Sequence, residues 1–300
     1  VIGNGAHGKQ LCATLETLAA LEAVEPDAAT GTWERHLANP RVDAFVVATE
    51  DDFLAPVAIA AMRAGTDVYC AAPMAHTADA ARAMRDTARE CRRMLHIGVA
   101  EAYLPAWRAT GAALERGLAG TLRWSQLECP ENTRGAFAHR PWQAEWARSE
   151  GPSATLIYRA LAPFMLVTGE RIPASVSACG DASTGATPDA LLATLRYASG
   201  HTLVISATPA NTSRPHPILR GDRAALEARP EGAVLLDAHG ETLCEPAATE
   251  IAPLEQSLRA FLSSVRTRRE PAWNAEAAYA ARVATAMTVQ AWRENKTIFS

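Results

Sequence analysis

Lysine is almost missing from this chain: of 29 basic residues only Lys9 and Lys296 are lysines, and the rest are arginines. Any role that needs a titratable amine has almost no candidates, because arginine stays protonated in proteins. No C-x-x-C pair and no His/Cys cluster at ligand spacing is present, so no metal is expected. The cysteines (Cys12, Cys70, Cys91, Cys129, Cys179, Cys244) are scattered and read as buried thiols of a reducing cytoplasm rather than as disulfides. No apolar run approaches the length that spans a bilayer. The net charge of −4 offers no basic excess for nucleic acid or an anionic membrane. There is no internal repeat and no low-complexity linker. The chain opens at Val1, inside an expected strand, so the cytoplasmic assignment rests on composition alone.

What is present is an ordinary globular composition, 48% hydrophobic and 21% charged, over 300 residues, a length that suits two domains. Val1-Ile2 reads as the end of a buried strand. It runs into Gly3-Asn4-Gly5-Ala6-His7-Gly8, a G-x-G-x-x-G turn, and a helix opens at Lys9. In a strand–turn–helix unit the first glycine allows the tight turn and the second admits a pyrophosphate to the backbone. The third lets helix and strand pack closely, and the helix N-terminus faces the phosphates. Gly3, Gly5, Ala6, His7 and Gly8 are thus candidate cofactor contacts through their backbone, the His7 ring facing solvent. Glu25 ends a short second strand, Leu21–Val24, 17 residues past Gly8. A carboxylate there accepts hydrogen bonds from a ribose diol and repels a 2′-phosphate, which favours NAD over NADP. Asp27 is an equally exposed rival, and a solvated charge is the plainer alternative.

Leu11, Leu15 and Leu18 recur at helical spacing. Val42–Thr49 is a continuous apolar run, as in a strand buried on both faces, and Ala48 and Thr49 at its end are further cofactor candidates. Helix Pro56–Ala64, strand Asp67–Cys70, a helix through Met84 to Arg92 capped by Thr77, and strand Met94–Gly98 continue the alternation. This pattern makes a doubly wound parallel sheet over 1–102. Its turns at Gly3–Gly8, Glu50–Phe53, Cys70–Met74 and Val99–Tyr103 are expected along one cleft. Over 103–300, after helix Leu104–Gly117, strands at Thr121–Cys129, Ala174–Ala178, Ala190–Tyr197, Thr202–Thr208, Ala224–Arg229 and Ala233–Asp237 follow mostly without helices. They imply a large, mostly antiparallel sheet with an open mixed face, suited to pairing in a homodimer. Two helices close the chain, with stripes Leu254, Leu258, Phe261, Val265 and Tyr279, Val283, Met287.

These pieces, in this order, resemble the Gfo/Idh/MocA oxidoreductase family. The landmarks are the glycine turn, Val42–Thr49, the run Ala64–Ala75 with Pro73, Arg116-Gly117-Leu118-Ala119-Gly120, and Phe261–Arg266 followed by Pro271. The resemblance implies an α/β protein with an N-terminal Rossmann domain holding NAD(P), Pro73 shaping one cofactor turn, and a second α/β domain whose open sheet makes the substrate wall and the oligomer contact. It also implies hydride transfer at a secondary alcohol of a sugar or cyclitol.

The departures fall on the chemistry. Where the family has Glu-Lys-Pro the chain has Ala71-Ala72-Pro73, so the lysine is absent at Ala72. Aligning the second motif on Gly151–Gly169 puts Thr155 at the family's Asp, Arg159 at its His and Ala162 at a further Asp. Glu101-Ala102 replaces an arginine pair, and Thr49–Leu54 is altered. Histidine accepts a proton near neutral pH and arginine does not. The remaining candidates are Asp51, Asp52, Glu101, Tyr103, His139, Tyr158 and Arg159. Of these, Tyr158, Arg159 and His139 are taken as the catalytic set, with a core tyrosine beside a carboxylate-holding arginine as the alternative for the first two. Arg134, Arg140 and Arg159 suit an anionic ligand, and Trp142 and Trp146 a pocket wall. Three readings stay open: an NAD-dependent oxidoreductase with a substituted acid/base set, an NAD(H)-binding pseudoenzyme with a regulatory or partner-subunit role, or a different catalyst on the same scaffold that uses the cofactor transiently or ignores it.

Overall fold

A computed structural model describes residues 1–3, 5–25, 28–129, 140–182, 186–208, 216–247 and 251–300. Its chain divides into two units, Val1–Ala100 with Ile251–Arg282, and Glu101–Glu250 with Val283–Ser300.

The first unit is built on parallel strands β1 (Ala44–Val47), β2 (Asp67–Ala71) and β3 (Leu95–Gly98), in that order. Ile2 extends this sheet by a parallel bridge to Val47 and another to Glu25, so the chain crosses the sheet in the order 25, 2, β1, β2, β3. The reversal between Ile2 and β1 is the switch point where such sheets open a ligand crevice. Every residue of β2 is buried, which is why this stretch lacks alternation. Helix α1 (Ala6–Leu15) buries Leu11 and Leu15. Helix α2 spans Asp51–Arg63 and begins before the expected Pro56, with Asp51 and Asp52 in the first turn, where the helix dipole favours acids. The Thr77 hydroxyl accepts from Ala80 N–H at 3.1 Å and caps α3 (Ala78–Cys91).

The domain boundary expected after residue 102 is only half of the division. The chain leaves the first unit after Ala100 and returns to it over Ile251–Arg282. The reason is the later apolar stripe. Leu254, Leu258 and Phe261 of the later helix Pro253–Thr267 join Leu11, Leu15, Val46, Ala48, Tyr69 and Ala71 in one core. Beside it, the Ser257 hydroxyl lies 3.2 Å from both the Tyr69 hydroxyl and His96 Nε2, and the Tyr69 and His96 rings stack at 5.4 Å. Arg268, just past the helix, grips buried Asp67 with bonds of 2.9 and 2.7 Å.

In the second unit α4 (Pro105–Glu115) and α5 (Pro152–Thr168) accompany a nine-stranded sheet. Its strands are β4 (Leu122–Cys129), β5 (Ser175–Asp181), β6 (Ala190–Arg196), β7 (Thr202–Ala207), β8 (Ile218–Gly221), β9 (Ala225–Arg229), β10 (Gly232–Asp237), β11 (Gly240–Pro246) and β12 (Ile298–Phe299). They lie in the order β11-β10-β9-β8-β4-β7-β6-β5-β12, with only the β4–β7 pair parallel. One face buries Leu191, Ala193, Leu195, Leu203 and Ile205, while the other carries exposed Trp124 and Leu192. Strands β8, β11 and β12 have no sequence signal: β12 is two residues long, and β11 is an edge strand with no fully buried residue. With α5 set in this unit, Pro253–Thr267 is α6 and the last helix, Ala275–Glu294, is α7.

No disulfide links the cysteines; Cys70 and Cys129 are buried as expected, whereas Cys12, Cys91 and Cys244 are only partly buried and Cys179 is exposed. Among the described residues no helix is long and apolar enough to cross a membrane.

Burial pushes the His96 imidazole down from 6.5 to about 4, and burial also lowers that of His201. Below pH 6.5 the unfolded chain therefore takes up protons that the folded chain refuses, so stability falls as pH drops from 6.5 toward about 4 and levels off above 6.5. Urea midpoints measured across that window are expected to fall with pH, and His96→Gln is expected to flatten the slope. An unchanged slope in the variant would mean that His96 is not held neutral.

Candidate active site

The best-defined part of the site is the backbone cradle in the first unit. Gly3 has φ +103°, and a Cβ there would lie 2.0 Å from the Ala48 carbonyl oxygen. A Cβ on Gly8 would lie 2.0 Å from the Gly3 carbonyl oxygen. A Cβ on Gly5 would meet nothing within 4 Å. Two glycines are thus required by packing, and the third faces open space, as a pyrophosphate cradle needs. Gly5 also precedes α1 without any side-chain cap, and neither Ala6, His7 nor Gly8 brings an acid into that first turn. Ala48-Thr49 follows β1 and buried Pro73 follows β2, so in this parallel sheet both sit at the same carboxyl edge as the glycine turn. These residues fit a dinucleotide. Asn4 and Asp27 lie outside the described residues.

The strand expected over Leu21–Val24 does not form, and Glu25 joins the sheet only through an isolated bridge to Ile2; its carboxylate is already engaged. Arg35 Nη2 donates to Oε1 at 2.7 Å, His36 Nε2 lies 2.7 Å from the same oxygen, and the Thr32 hydroxyl donates to Oε2 at 2.8 Å. The Thr32 bond first, then His36 and Arg35, hold the carboxyl down at about 2. A carboxylate offers about four acceptor positions, so at most one remains, whereas a ribose diol read by both its hydroxyls takes two. The charge that was to repel a 2′-phosphate is also compensated by Arg35. Glu25 is therefore the anchor of a local cluster before it is a cofactor ligand.

In the second unit Arg159 donates to the Glu101 carboxylate, and both side chains remain partly exposed. Two positions that depart from the family pattern thus meet as an ion pair, 58 residues apart in sequence. Tyr158 precedes Arg159 on α5 but is fully buried. Successive helical residues point about 100° apart, so adjacency does not bring the two groups to one surface. A sealed hydroxyl is in no position to exchange protons with a substrate, and Tyr158 is the core tyrosine of the alternative reading. The Thr155 hydroxyl bonds back to the Gly151 carbonyl at 3.4 Å, and Ala162 is buried. His139 and Arg134 lie outside the described residues. Arg140 precedes a short turn, Pro141–Ala144, and Trp146 lies under the guanidinium of Arg293 at 4.6 Å.

A Ser–His–Glu arrangement that spacing does not reveal also occurs in this unit. The Ser125 hydroxyl is 2.9 Å from His201 Nε2, and His201 Nδ1 is 3.5 Å from Glu170 Oε1. The order is that of a nucleophile relay. Yet Ser125 has no exposed surface and His201 has 2%, with Phe164 and Tyr197 packed on the imidazole at 5.5 and 6.2 Å. No substrate reaches it, so the cluster satisfies buried polar groups rather than performing hydrolysis.

Comparison with known proteins agrees with the cradle. Residues 6–99 match the Gfo/Idh/MocA profile, described as an oxidoreductase family with an NAD-binding Rossmann fold. A trans-1,2-dihydrobenzene-1,2-diol dehydrogenase of Mus musculus is 25% identical over 189 residues, which cover 62% of this chain and 56% of that protein. The match thus spans little more than half the length of that relative. Among solved structures, an inositol dehydrogenase homolog complexed with NAD+ from Azotobacter vinelandii superposes with a TM-score of 0.85 at 14% identity, covering 100% of this chain and 96% of that one. An aldose-aldose oxidoreductase from Caulobacter crescentus complexed with glycerol gives 0.78 at 21% identity, covering 100% and 90%.

The cradle makes a two-sided prediction. Gly5→Ala leaves the fold intact but places a methyl group in the open space, and is expected to weaken NADH binding roughly tenfold, about 1.4 kcal/mol. Gly8→Ala collides with the Gly3 carbonyl and is expected to lower the melting temperature as well. Fluorescence titration with NADH and thermal denaturation separate the two effects, and equal behaviour of both variants would refute the assignment.

Proposed function

We propose that this chain is a member of the Gfo/Idh/MocA oxidoreductase family and an NAD-dependent oxidoreductase acting at a secondary alcohol of a sugar- or cyclitol-like substrate. In this proposal Glu101, held by Arg159, handles the proton. The observation that carries the reading is the cradle: Gly3 and Gly8 are fixed by backbone contact while Gly5 faces open space. The names of the structural neighbours, an inositol dehydrogenase homolog and an aldose-aldose oxidoreductase, support the substrate class.

NAD+ supplies the hydride acceptor when bound. The chain's own part is to orient the carbinol and to take its proton. Arginine at position 159 cannot accept a proton, and Ala72 has no group to do so. Glu101 is a carboxylate whose oxygens accept, and Arg159 fixes its direction. A substrate hydroxyl hydrogen-bonded to Glu101 would pass its proton to that carboxylate, leaving a protonated carboxyl. Arg159 then has two uses, as the positioning group for Glu101 and as an anchor for an acidic substrate. The open face with Trp124 and Leu192 suits pairing with a second copy of the chain.

A second reading is favoured by the buried Tyr158 and by Arg159 and Ala72, which stand where the family has its histidine and lysine. In it the chain binds NAD(H) without turnover and acts as a sensing or partner subunit.

One experiment divides them. NADH production is followed at the reduced-nicotinamide band against polyols, cyclitols and sugar acids. The first reading expects turnover that Glu101→Gln reduces about 10²- to 10⁴-fold with NADH binding retained. The second expects tight NADH binding and no turnover with any substrate. Failure to bind NADH at all overturns both.

A further inference from the structure

The first unit contains a second recess, at the opposite edge of its sheet from the glycine turn. It is a cavity of about 470 Å³ lined by Arg85, Arg89, Arg92, Arg93 and Arg268, with Glu270, Asn274 and Glu276 completing its polar wall. Met94 and Leu95, also on its wall, begin β3, so the cavity lies at the amino-terminal edge of the strands, whereas the cofactor turns leave their carboxyl ends. Its size is in the range of small-molecule sites.

The arginines are not equivalent. Arg85 pairs with Asp86 at 2.7 Å, and Arg89 pairs with Glu276 at 2.6 Å. Arg268 is committed to Asp67. Arg92 and Arg93 make no ion pair with any described residue, and the Arg93 Nε is buried without a hydrogen-bond acceptor from the protein. A buried guanidinium donor left without an acceptor is costly. On the same wall, the Glu270 carboxylate accepts from Asn274 Nδ2 at 2.9 Å and has further acceptor capacity. Ion pairing accounts for three of the five arginines and leaves two.

We propose that this cavity binds a small hydroxylated oxyanion, of the sugar phosphate or sugar acid class. Arg92 and Arg93 hold the anionic group, and Glu270 accepts from its hydroxyls. The guanidinium fork matches the planar or tetrahedral oxyanion, and the acid on the same cavity wall selects a ligand that carries donors over bare phosphate. The site is separate from the cofactor turn and does not depend on the reaction proposed above, so it serves as a place for an effector.

The test is calorimetric titration of the full chain with glucose 6-phosphate, gluconate, inorganic phosphate and glucose, NADH binding being measured in parallel. Expected are saturable binding of glucose 6-phosphate or gluconate, weaker binding of phosphate and none of glucose. Replacement of both Arg92→Ala and Arg93→Ala is expected to weaken the anion roughly 10- to 100-fold. Glu270→Gln is expected to remove the preference for the hydroxylated anion over phosphate. NADH affinity should be unchanged in each variant, which shows that the unit is folded. Absence of anion binding up to about 10 mM, or binding that survives the double replacement, would overturn the proposal whatever the enzymatic assay gives.

Discussion

Backbone touching backbone at Gly3, Gly8 and Ala48 is the constraint on which the first unit depends. The Ile2 amide and carbonyl are tied to Val46 and Ala48 by bonds of 2.8 Å, and the Gly3 amide donates to Glu25 at 2.8 Å. With the strand fixed on both sides, α1 can approach only because Gly8 has no side chain. That approach seats Leu11 and Leu15 in the core, where Leu258 and Phe261 of α6 meet them. Close packing and ligand binding therefore come from one turn: two of its glycines are consumed by contact, and Gly5 is left facing outward. A side chain at either contact position would displace the helix and with it the floor on which the returning segment sits.

The near absence of lysine shapes the electrostatics. Glu25, Asp67 and Glu101, three carboxylates at strand or helix boundaries, are each held by an arginine: Arg35, Arg268 and Arg159. A guanidinium fixes a carboxylate by a directional fork and does not surrender its proton. In this chain, then, cation–carboxylate pairs orient groups and do not relay protons. In the proposed reaction, proton handling falls to a carboxylate that stays partly exposed within such a pair, as Glu101 does. Charge spent on orientation at Glu25 also weakens the argument from a lone acid to cofactor choice, because that acid stands beside its own counter-charge.

Much of this was legible in the sequence, and for definable reasons. The parallel sheet announced itself through continuous apolar runs such as Val42–Thr49, and the antiparallel one through alternation in Thr202–Thr208. The glycine turn was legible because its spacing encodes a contact. The return of Ile251–Arg282 to the first unit was not, since a helical stripe tells which face is buried but not against what. Arg35 and His36 were invisible as partners of Glu25 because they lie in a short 3₁₀ turn, Thr32–His36, without periodicity. The Glu101–Arg159 pair was hidden for a simpler cause. Each residue alone reads as a loss of the expected chemistry, and only their meeting in space turns two losses into one arrangement. Tyr158 misled through sequence adjacency, which on a helix separates rather than unites side chains.

The two edges of the parallel sheet finally differ in the kind of group they offer. At the carboxyl edge the ligand-facing groups are backbone amides, which need glycine and accept no substitution by charge. At the amino edge helices arrive with their negative ends, and cations there are favoured by the dipole alone. Arg92 ends α3 and Arg268 ends α6, both in the left-handed region at φ 53° and 55°. Such a conformation costs a non-glycine residue about 1 to 2 kcal/mol. Dipole and cap together account for a cation at each helix end. They do not account for Arg93, which follows the cap, is partly buried and brings a second guanidinium beside the first. The excess over what the helix ends require is the part of this edge that structure alone does not explain, and it is what gives the cavity its character as a receptor for an anion.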